Sequence, residues 1–322
     1  MGTAQANQAF TSFQLGELTL RNRFVKSATY EGMAPGGMPS PALTKHHRDI
    51  AAGGAGLTTV AYCAVSPTGR TFAEQMVMQP SVMAPLRELT DAVHAEGGAA
   101  AIQLGHCGFF TKNEELKPAK PLGPSRVFNA YGLTKGMLFS KEMSIEDMQT
   151  TAADFANAAA LAREAGFDAI ELHLGHGYLL SQFLSPWSNR RIDSYGGSLE
   201  NRLRFPLQVF HAVRAAVGDG FPILCKINLT DGFKGGLEIE DAIGVATALE
   251  SAGANALVLS GGFTSKNALF LLRGGRPLKQ MIEVEKSQTQ KLALRAFGTV
   301  VVKQFPFEEM FFFELAKRIR EA

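Results

Sequence analysis

Short apolar runs alternate with longer amphipathic segments along most of this chain of 322 residues. The apolar runs show no clean alternation of polar and apolar positions, which is typical of strands buried on both faces. The segments that follow them have helical periodicity, and several stop at a glycine. This order of elements predicts an α/β protein built on a parallel sheet.

Six strand–helix units can be traced in this way, after a small hairpin over residues 10–20. The predicted strands cover residues 22–30, 57–65, 99–104, 169–173, 222–229 and 256–259. The predicted helices cover residues 42–52, 81–96, 144–165, 199–217, 239–252 and 307–322. Two long segments, 108–143 and 263–306, are predicted to be irregular excursions from this framework.

A barrel is favoured over an open doubly wound sheet, because no Gly-rich phosphate-binding loop follows the first predicted strand. A closed barrel of the TIM (β/α)8 type has eight strand–helix units, and about six are predicted here. We therefore expect one domain over residues 1–322, a TIM-type barrel that is incomplete at its C-terminal end. An open sheet exposes unpaired strand edges, which a partner or a homo-oligomer would cover.

Composition is that of an ordinary globular protein, with 46% hydrophobic and 19% charged residues. The net charge of +2, with both signs mixed along the chain, gives no indication of nucleic-acid binding or of an acidic membrane surface. No apolar run reaches membrane-spanning length. Cys63, Cys107 and Cys225 are far apart and fit reduced thiols, so we expect a cytoplasmic protein without a disulfide frame.

The densest group of chemically active residues follows the predicted strand at 169–173. His173, His176 and Tyr178 lie within six positions of one another, where a parallel strand ends and function commonly sits. Two imidazoles could donate hydrogen bonds to an oxyanion, and a phenol could donate a proton. The alternatives are one structural and one exposed histidine, a tyrosine packed at a strand–helix corner, or a zinc site. No carboxylate or thiolate at helical spacing completes a zinc shell, so no metal is expected.

The residues around this group form a longer motif. It runs His173-x-x-His176-Gly177-Tyr178-Leu179, then Gln182-Phe183-Leu184-Ser185-Pro186, then Asn189, Arg191, Asp193, Tyr195-Gly196-Gly197-Ser198 and Glu200-Asn201-Arg202. It extends backwards to Asn22-Arg23-Phe24 and Gln103-Leu104-Gly105-His106, and forwards to Gly262. The motif resembles the old yellow enzyme family of FMN-dependent NAD(P)H oxidoreductases.

The resemblance implies an enzyme that binds FMN, takes electrons from NADH or NADPH, and reduces an activated alkene such as an α,β-unsaturated carbonyl compound. It implies that His173 and His176 hold the substrate carbonyl oxygen and that Tyr178 protonates the α-carbon. It also implies that the flavin lies against residues at the ends of strands one, two, three and five. These residues are Ala28, Thr29, Tyr30, Tyr62, Gln103 and Lys226.

Two of these implied contacts have local alternatives. Gln103 would meet the flavin pyrimidine edge, but it could be a polar strand end without a partner. Lys226 would offset the negative charge of reduced flavin near N1, although relatives usually carry arginine there and lysine lacks its bidentate fork. Lys226 could instead snorkel outward to solvent. Tyr30 stands where relatives usually have threonine or cysteine, which leaves that contact open.

Two other functions remain open from the sequence. The first is a catalytically impaired, truncated family member or an interaction subunit that no longer holds FMN, because the family's last two strands and their phosphate-binding loops are not predicted here. The second is a flavin-free lyase or aldolase, for which Lys226 is the candidate Schiff-base residue.

Overall fold

The computed structural model describes residues 8–117, 119–275, 277–285 and 288–322, without the side chains of residues 289, 290, 300 and 301. Its framework is a curled parallel sheet of six strands with helices packed around it, which confirms the α/β barrel-type fold. The strands are β1 Phe13–Leu15, β2 Leu18–Leu20, β3 Val25–Lys26, β4 Leu57–Ala64, β5 Ala99–Gly105, β6 Leu122–Gly123, β7 Lys141–Glu142, β8 Ala169–Leu174, β9 Ile223–Asn228 and β10 Ala256–Ser260.

The six sheet strands follow the order β3–β4–β5–β8–β9–β10, and all neighbours are parallel. The helices lie mainly between successive strands, as right-handed parallel units require. They are α1 Pro41–Ala52, α2 Met83–Ala95, α3 Ile145–Glu164, α4 Leu179–Leu184, α5 Leu199–Val217, α6 Ile239–Ser251, α7 Thr264–Asn267, α8 Leu278–Val284, α9 Gln288–Val301 and α10 Phe313–Glu321.

Local sequence signals account for the starts of the long helices. Ser144 and Asp147 form a capping box at the start of α3, in which each side chain bonds the other's backbone N–H. The side chain of Ser198 accepts the Asn201 N–H at the start of α5. Every residue of β4, β5, β8 and β9 is buried, which confirms that both faces of these strands are covered.

The β1–β2 hairpin closes the end of the sheet at which the strands begin. Gly16 makes its turn with a φ of +59°, a conformation that favours glycine. Leu15 and Leu20 are buried in a cluster of residues from the first halves of four strands, among them Leu57 and Leu224. The predicted hairpin is therefore confirmed, and it leaves the opposite end of the sheet for chemistry.

The two edge strands are the least protected parts of the sheet. The strand predicted over residues 22–30 pairs only through Val25 and Lys26, and Phe24 and Val25 are each 45% exposed. At the other edge, β10 is only partly buried from Ala256 to Leu259. Within the described residues neither edge has an outer neighbour in the sheet. A homo-oligomer that covers these edges stays a prediction.

Two helical regions differ from the sequence-based prediction. Helix α4 was missed because all six of its residues are buried, so it carries no amphipathic pattern. Residues 263–306 contain α7, α8 and α9 rather than an irregular excursion. Gly298 lowers the intrinsic helix propensity of α9, yet a Cβ there would lie 2.5 Å from the Leu278 side chain, so its absence permits close packing on α8. The last helix begins at Phe313.

No helix in the described ranges is both long enough and apolar enough to cross a membrane. A cytoplasmic location stays a prediction.

Candidate active site

The functional residues predicted from sequence meet at the ends of the central strands, on the side away from the hairpin. Strand register places Gln103 beside Glu171 and His173 beside Lys226. Because parallel strands end at the same edge, residues far apart in sequence converge there. Tyr62, near the end of β4, packs into the same region.

His173, His176 and Tyr178 form one tight cluster. The His173 ring centroid lies 4.9 Å from that of His176 and 4.6 Å from that of Tyr178. The Tyr62 ring centroid lies 5.1 Å from that of Tyr178, in a tilted arrangement, and 6.2 Å from that of His173, edge-on. His173 is buried, whereas His176 and Tyr178 are partly exposed and so accessible to a ligand.

Backbone and side-chain contacts from neighbouring strands fix His176. Its φ is +60°, a left-handed value that is uncommon for residues other than glycine, although histidine adopts it more often than most. The side-chain oxygen of Asn228 accepts its backbone N–H at 2.9 Å, and its Nε2 lies 2.7 Å from the Ser260 hydroxyl. Asn228 is itself oriented by donating to Asp231 at 2.8 Å. These three supporting residues were not predicted from the sequence.

The side chains of His173, His176 and Tyr178 are all neutral at physiological pH. Burial is the main cause that lowers the pKa of His173 well below its usual value and the pKa of His176 to about 3, and the Lys226 charge adds to both shifts. Burial raises the pKa of Tyr178 to about 12. The Gly175 N–H donates to His173 Nδ1 at 3.4 Å, so the His173 proton sits on Nε2.

A buried ion pair lies beside this cluster. The Lys226 ammonium is 3.2 Å from Glu171 Oε1, and both side chains are at most 4% exposed. Lys226 also donates to the Ala28 carbonyl at 3.0 Å and to the Ser27 hydroxyl at 3.2 Å. Lys226 therefore does not snorkel outward. Its compensating anion comes from the protein, from a residue that the sequence reasoning missed.

Gln103 belongs to the same network. Its amide Nε2 donates to Glu171 Oε1 at 2.6 Å, so it is not a strand end without a partner. Burial raises the pKa of Glu171, and the Lys226 charge and the Gln103 hydrogen bond oppose that shift. One acceptor oxygen thus orders both donors that the resemblance assigns to the flavin.

The end of the first strand contributes less to this cluster. The Ala28 carbonyl accepts a hydrogen bond from Lys226, while Thr29 is exposed and its hydroxyl donates to the Ser27 carbonyl. Tyr30 is 53% exposed, and its ring lies 5.7 Å from Phe72. Tyr62 is buried, donates to the Gly69 carbonyl at 3.0 Å, and forms a wall of the site.

The donor set fits a flavin. The pyrimidine edge of a flavin offers carbonyl oxygens and an N–H, which an ammonium group and an amide side chain can satisfy together. Lys226 supplies a fixed positive charge and Gln103 supplies the amide, both at buried strand ends. Of the other residues predicted to contact the flavin, Ala28 packs with Tyr178 against the cluster that contains Tyr62.

The histidine pair shows no metal-ligand grouping in the part of the chain that the structure describes. The three metal-ligating side chains that do come together there are Glu31, His46 and His47. Glu31 already pairs with Lys26, and a cation competes directly with a metal ion for that carboxylate.

The model of the NADH:flavin oxidoreductase / NADH oxidase family matches residues 8–265. This chain belongs to that family. The resemblance to the old yellow enzyme family that the sequence motif indicated is therefore confirmed. The protein is an oxidoreductase of that type.

Individual relatives agree with this assignment. The chain is 41% identical over 328 aligned residues to a 4,4'-dithiodibutanoate disulfide reductase of Rhodococcus erythropolis, covering all of this chain and 79% of that protein. It is 35% identical over 256 residues to an NADH oxidase of Thermoanaerobacter brockii, covering 79% of this chain but 39% of that protein. The old yellow enzyme homologue from Zymomonas mobilis shares the fold, with a TM-score of 0.72 and 21% identity over 98% of this chain and 92% of its own.

Substitution Lys226→Met is expected to lower the free energy of unfolding by about 3 kcal/mol, because it leaves the Glu171 charge buried without its partner. The double variant Lys226→Met/Glu171→Gln removes both charges and should recover most of that loss. Urea denaturation at pH 7 measures both. Lys45→Met, which breaks a pair with 67% and 45% exposed side chains, is the matched control and should cost about 0.5 kcal/mol or less. Equal losses in the single and double Lys226 variants would contradict the role of the ion pair.

Proposed function

We propose that this chain is an FMN-dependent NAD(P)H oxidoreductase that reduces the activated C=C bond of an α,β-unsaturated carbonyl compound. The carrying observation is the neutral cluster of His173, His176 and Tyr178 beside the buried Lys226 ion pair. A pair of neutral N–H donors, a protonated phenol and a fixed cation together match the charges that develop in such a reaction.

In this proposal the histidines hold the substrate carbonyl oxygen. His173 carries its proton on Nε2, since Nδ1 accepts the Gly175 N–H. The Nε2 atom of His176 contacts the Ser260 hydroxyl. When Ser260 donates to Nε2, the His176 proton lies on Nδ1, which is then the second donor to the substrate oxygen. Two donors fixed by buried contacts stabilise the enolate oxygen without reorganising during the reaction.

Tyr178 is the proposed proton donor. Its raised pKa keeps the phenol protonated at neutral pH, and its ring lies against His173, beside the proposed carbonyl site. FMN held at this site and reduced by NADH or NADPH would supply the hydride for the β-carbon. Tyr178 then delivers its proton to the α-carbon, and solvent replaces that proton.

Gln103 and Lys226 are proposed to hold the flavin ring, with Ala28, Thr29, Tyr30 and Tyr62 as its other contacts. There the Lys226 ammonium would stabilise negative charge on the ring when it is reduced. The Schiff-base alternative is disfavoured, because the Lys226 ammonium is committed to Glu171, Ser27 and Ala28.

Reduction of an organic disulfide is a second candidate activity of the same site. The observation that favours it is the 41% identity, over this whole chain, to a relative named as a 4,4'-dithiodibutanoate disulfide reductase. Hydride addition to one sulfur would break the S–S bond and give one thiol and one thiolate, which Tyr178 or water would protonate. Parallel assays with an enone and a disulfide as electron acceptor separate the two activities.

The proposal is tested by incubating the purified chain with FMN and removing free flavin by desalting. We expect a retained flavin spectrum that bleaches with NADH or NADPH under anaerobic conditions and recovers on addition of 2-cyclohexenone. A colourless protein would reject the proposal and favour the impaired or interaction subunit. Recovery with a disulfide but not with the enone would favour the second candidate.

Substitution Tyr178→Phe is expected to slow enone-driven reoxidation about 100-fold or more, because it removes the proton donor. Bleaching by the nicotinamide should change little, because that step needs no proton from Tyr178. Stopped-flow absorbance measures both half-reactions separately. Tyr131→Phe, at a tyrosine that stacks on Phe110 outside the cluster, is the matched control. A uniform slowing of both half-reactions in Tyr178→Phe would argue for a structural role.

The reoxidation rate is expected to be nearly constant between about pH 5 and pH 9. The pKa of His176 is lowered to about 3, so the imidazole is neutral throughout this interval. The pKa of Tyr178 is raised to about 12, so the phenol stays protonated throughout it. Single-turnover rates across this interval check the prediction. A fall in rate below pH 6.5, the usual titration of a solvated imidazole, would show that the histidines are not held neutral.

A further inference from the structure

A cavity whose lining shares no residue with the catalytic cluster carries several cationic side chains. It has a volume of about 400 Å³ and combines cationic and aromatic walls. The residues that define it are Arg126, Arg190 and Lys266 with Phe128, Phe139 and Trp187. This volume falls in the range of small-molecule binding sites.

The three cations have no acidic partner among the residues that the structure describes. None of them forms an ion pair within the residues that the structure describes, whereas the neighbouring Arg191 pairs with Asp193 at 2.6 Å. Their heads lie against aromatic rings instead. The Lys266 ammonium is 4.1 Å and the Arg190 guanidinium 6.0 Å from the Trp187 ring centroid. The arrangement concentrates positive charge that no acidic side chain in the described ranges neutralises.

Arg126 is the third cation in the lining of this cavity. Its guanidinium lies 4.1 Å from the Phe139 ring centroid, so the group is oriented by the ring while its donors remain available. A planar guanidinium suits the two oxygens of a carboxylate, which it can bind through parallel hydrogen bonds. The aromatic walls favour an apolar body behind that anionic head.

A short structural path joins this cavity to the catalytic cluster. The Trp187 ring lies 5.5 Å from the ring of Phe263, and the next residue, Thr264, donates its N–H to the His176 carbonyl at 2.9 Å. The Lys266 N–H in turn donates to the Phe263 carbonyl at 2.8 Å. The cavity is thus built on the segment that also supports His176.

We propose that this cavity binds the carboxylate end of an apolar organic acid. The three cations supply the attraction, and the aromatic walls bury the hydrocarbon part. The cations are solvent-exposed, so binding weakens as salt screens them. The role of this cavity as a subsite for acidic substrates rests on the proposed function. Its binding of organic acids does not depend on that function.

Trp187 provides a direct probe, because it is the single tryptophan of the chain. Its fluorescence is followed during titration with 4-phenylbutanoate, with the uncharged 4-phenylbutanamide and with inorganic pyrophosphate. We expect a saturable change with the carboxylate, at least tenfold weaker binding of the amide, and weakening of the carboxylate affinity between 50 and 300 mM NaCl. These values are about what loss or screening of a charge-assisted contact produces.

The variant Arg126→Gln/Lys266→Gln should weaken 4-phenylbutanoate binding about tenfold or more, a loss of two charge-assisted contacts. Arg320→Gln, at an exposed arginine on the distant α10, is the matched control and should bind as the parent does. Circular dichroism confirms that each variant is folded. Equal affinity for acid and amide, tighter binding of pyrophosphate, or an unchanged double variant would each overturn the proposal.

A kinetic comparison addresses the catalytic part with two matched enones, 4-oxo-4-phenyl-2-butenoate and its methyl ester. In the FMN-loaded protein, the double variant should raise the KM of the acid about tenfold and leave the KM of the ester unchanged. Equal effects on acid and ester would reject the subsite. Failure to reduce either enone would count against the proposed function, while the fluorescence titration would still decide the binding site.

Discussion

The contact between the Lys226 ammonium and the Glu171 carboxylate is the constraint on which the site depends. Two opposite charges are held 3.2 Å apart inside a sheet whose other interior residues are largely apolar. Neither is tolerable alone in such surroundings, because desolvation of an unpaired charge costs several kcal/mol. Together they fix the relative position of β8 and β9, the strands that carry His173 and the support of His176. Stability and electrostatics therefore act at the same point.

The same charge pair sets the character of the surrounding groups. The Lys226 cation adds to the burial that keeps both imidazoles neutral, and Glu171 orders the Gln103 amide. Neutral donors near a permanent cation form an environment suited to accepting negative charge. The family assignment and this local chemistry agree, although they rest on separate observations.

Much of the fold could be predicted because strand burial and helix capping are local signals. The capping box at Ser144 and Asp147 marks the start of α3, and Gly16 marks the hairpin turn. The supports of His176 could not be found in this way: Asn228 and Ser260 lie 52 and 84 positions away from it. Glu171 is an obvious charged residue within an apolar run of the sequence. Its pairing with Lys226 could not be predicted, because the two residues become neighbours only through the register of β8 and β9. The hydrophobic pattern of a sequence does not predict contacts that depend on strand register and sheet curvature.

Ser260 holds His176 from β10, which has no outer neighbour in the sheet within the described residues and is only partly buried from Ala256 to Leu259. Segments with few buried apolar contacts open locally at a lower free energy than core strands do, so their amide protons exchange with solvent sooner. When β10 opens locally, the His176 ring loses its hydroxyl partner while the central strands remain intact. Gentle heating should therefore abolish the ordered imidazole before it melts the protein, and the thermal limit of catalysis would lie below the thermal limit of the fold.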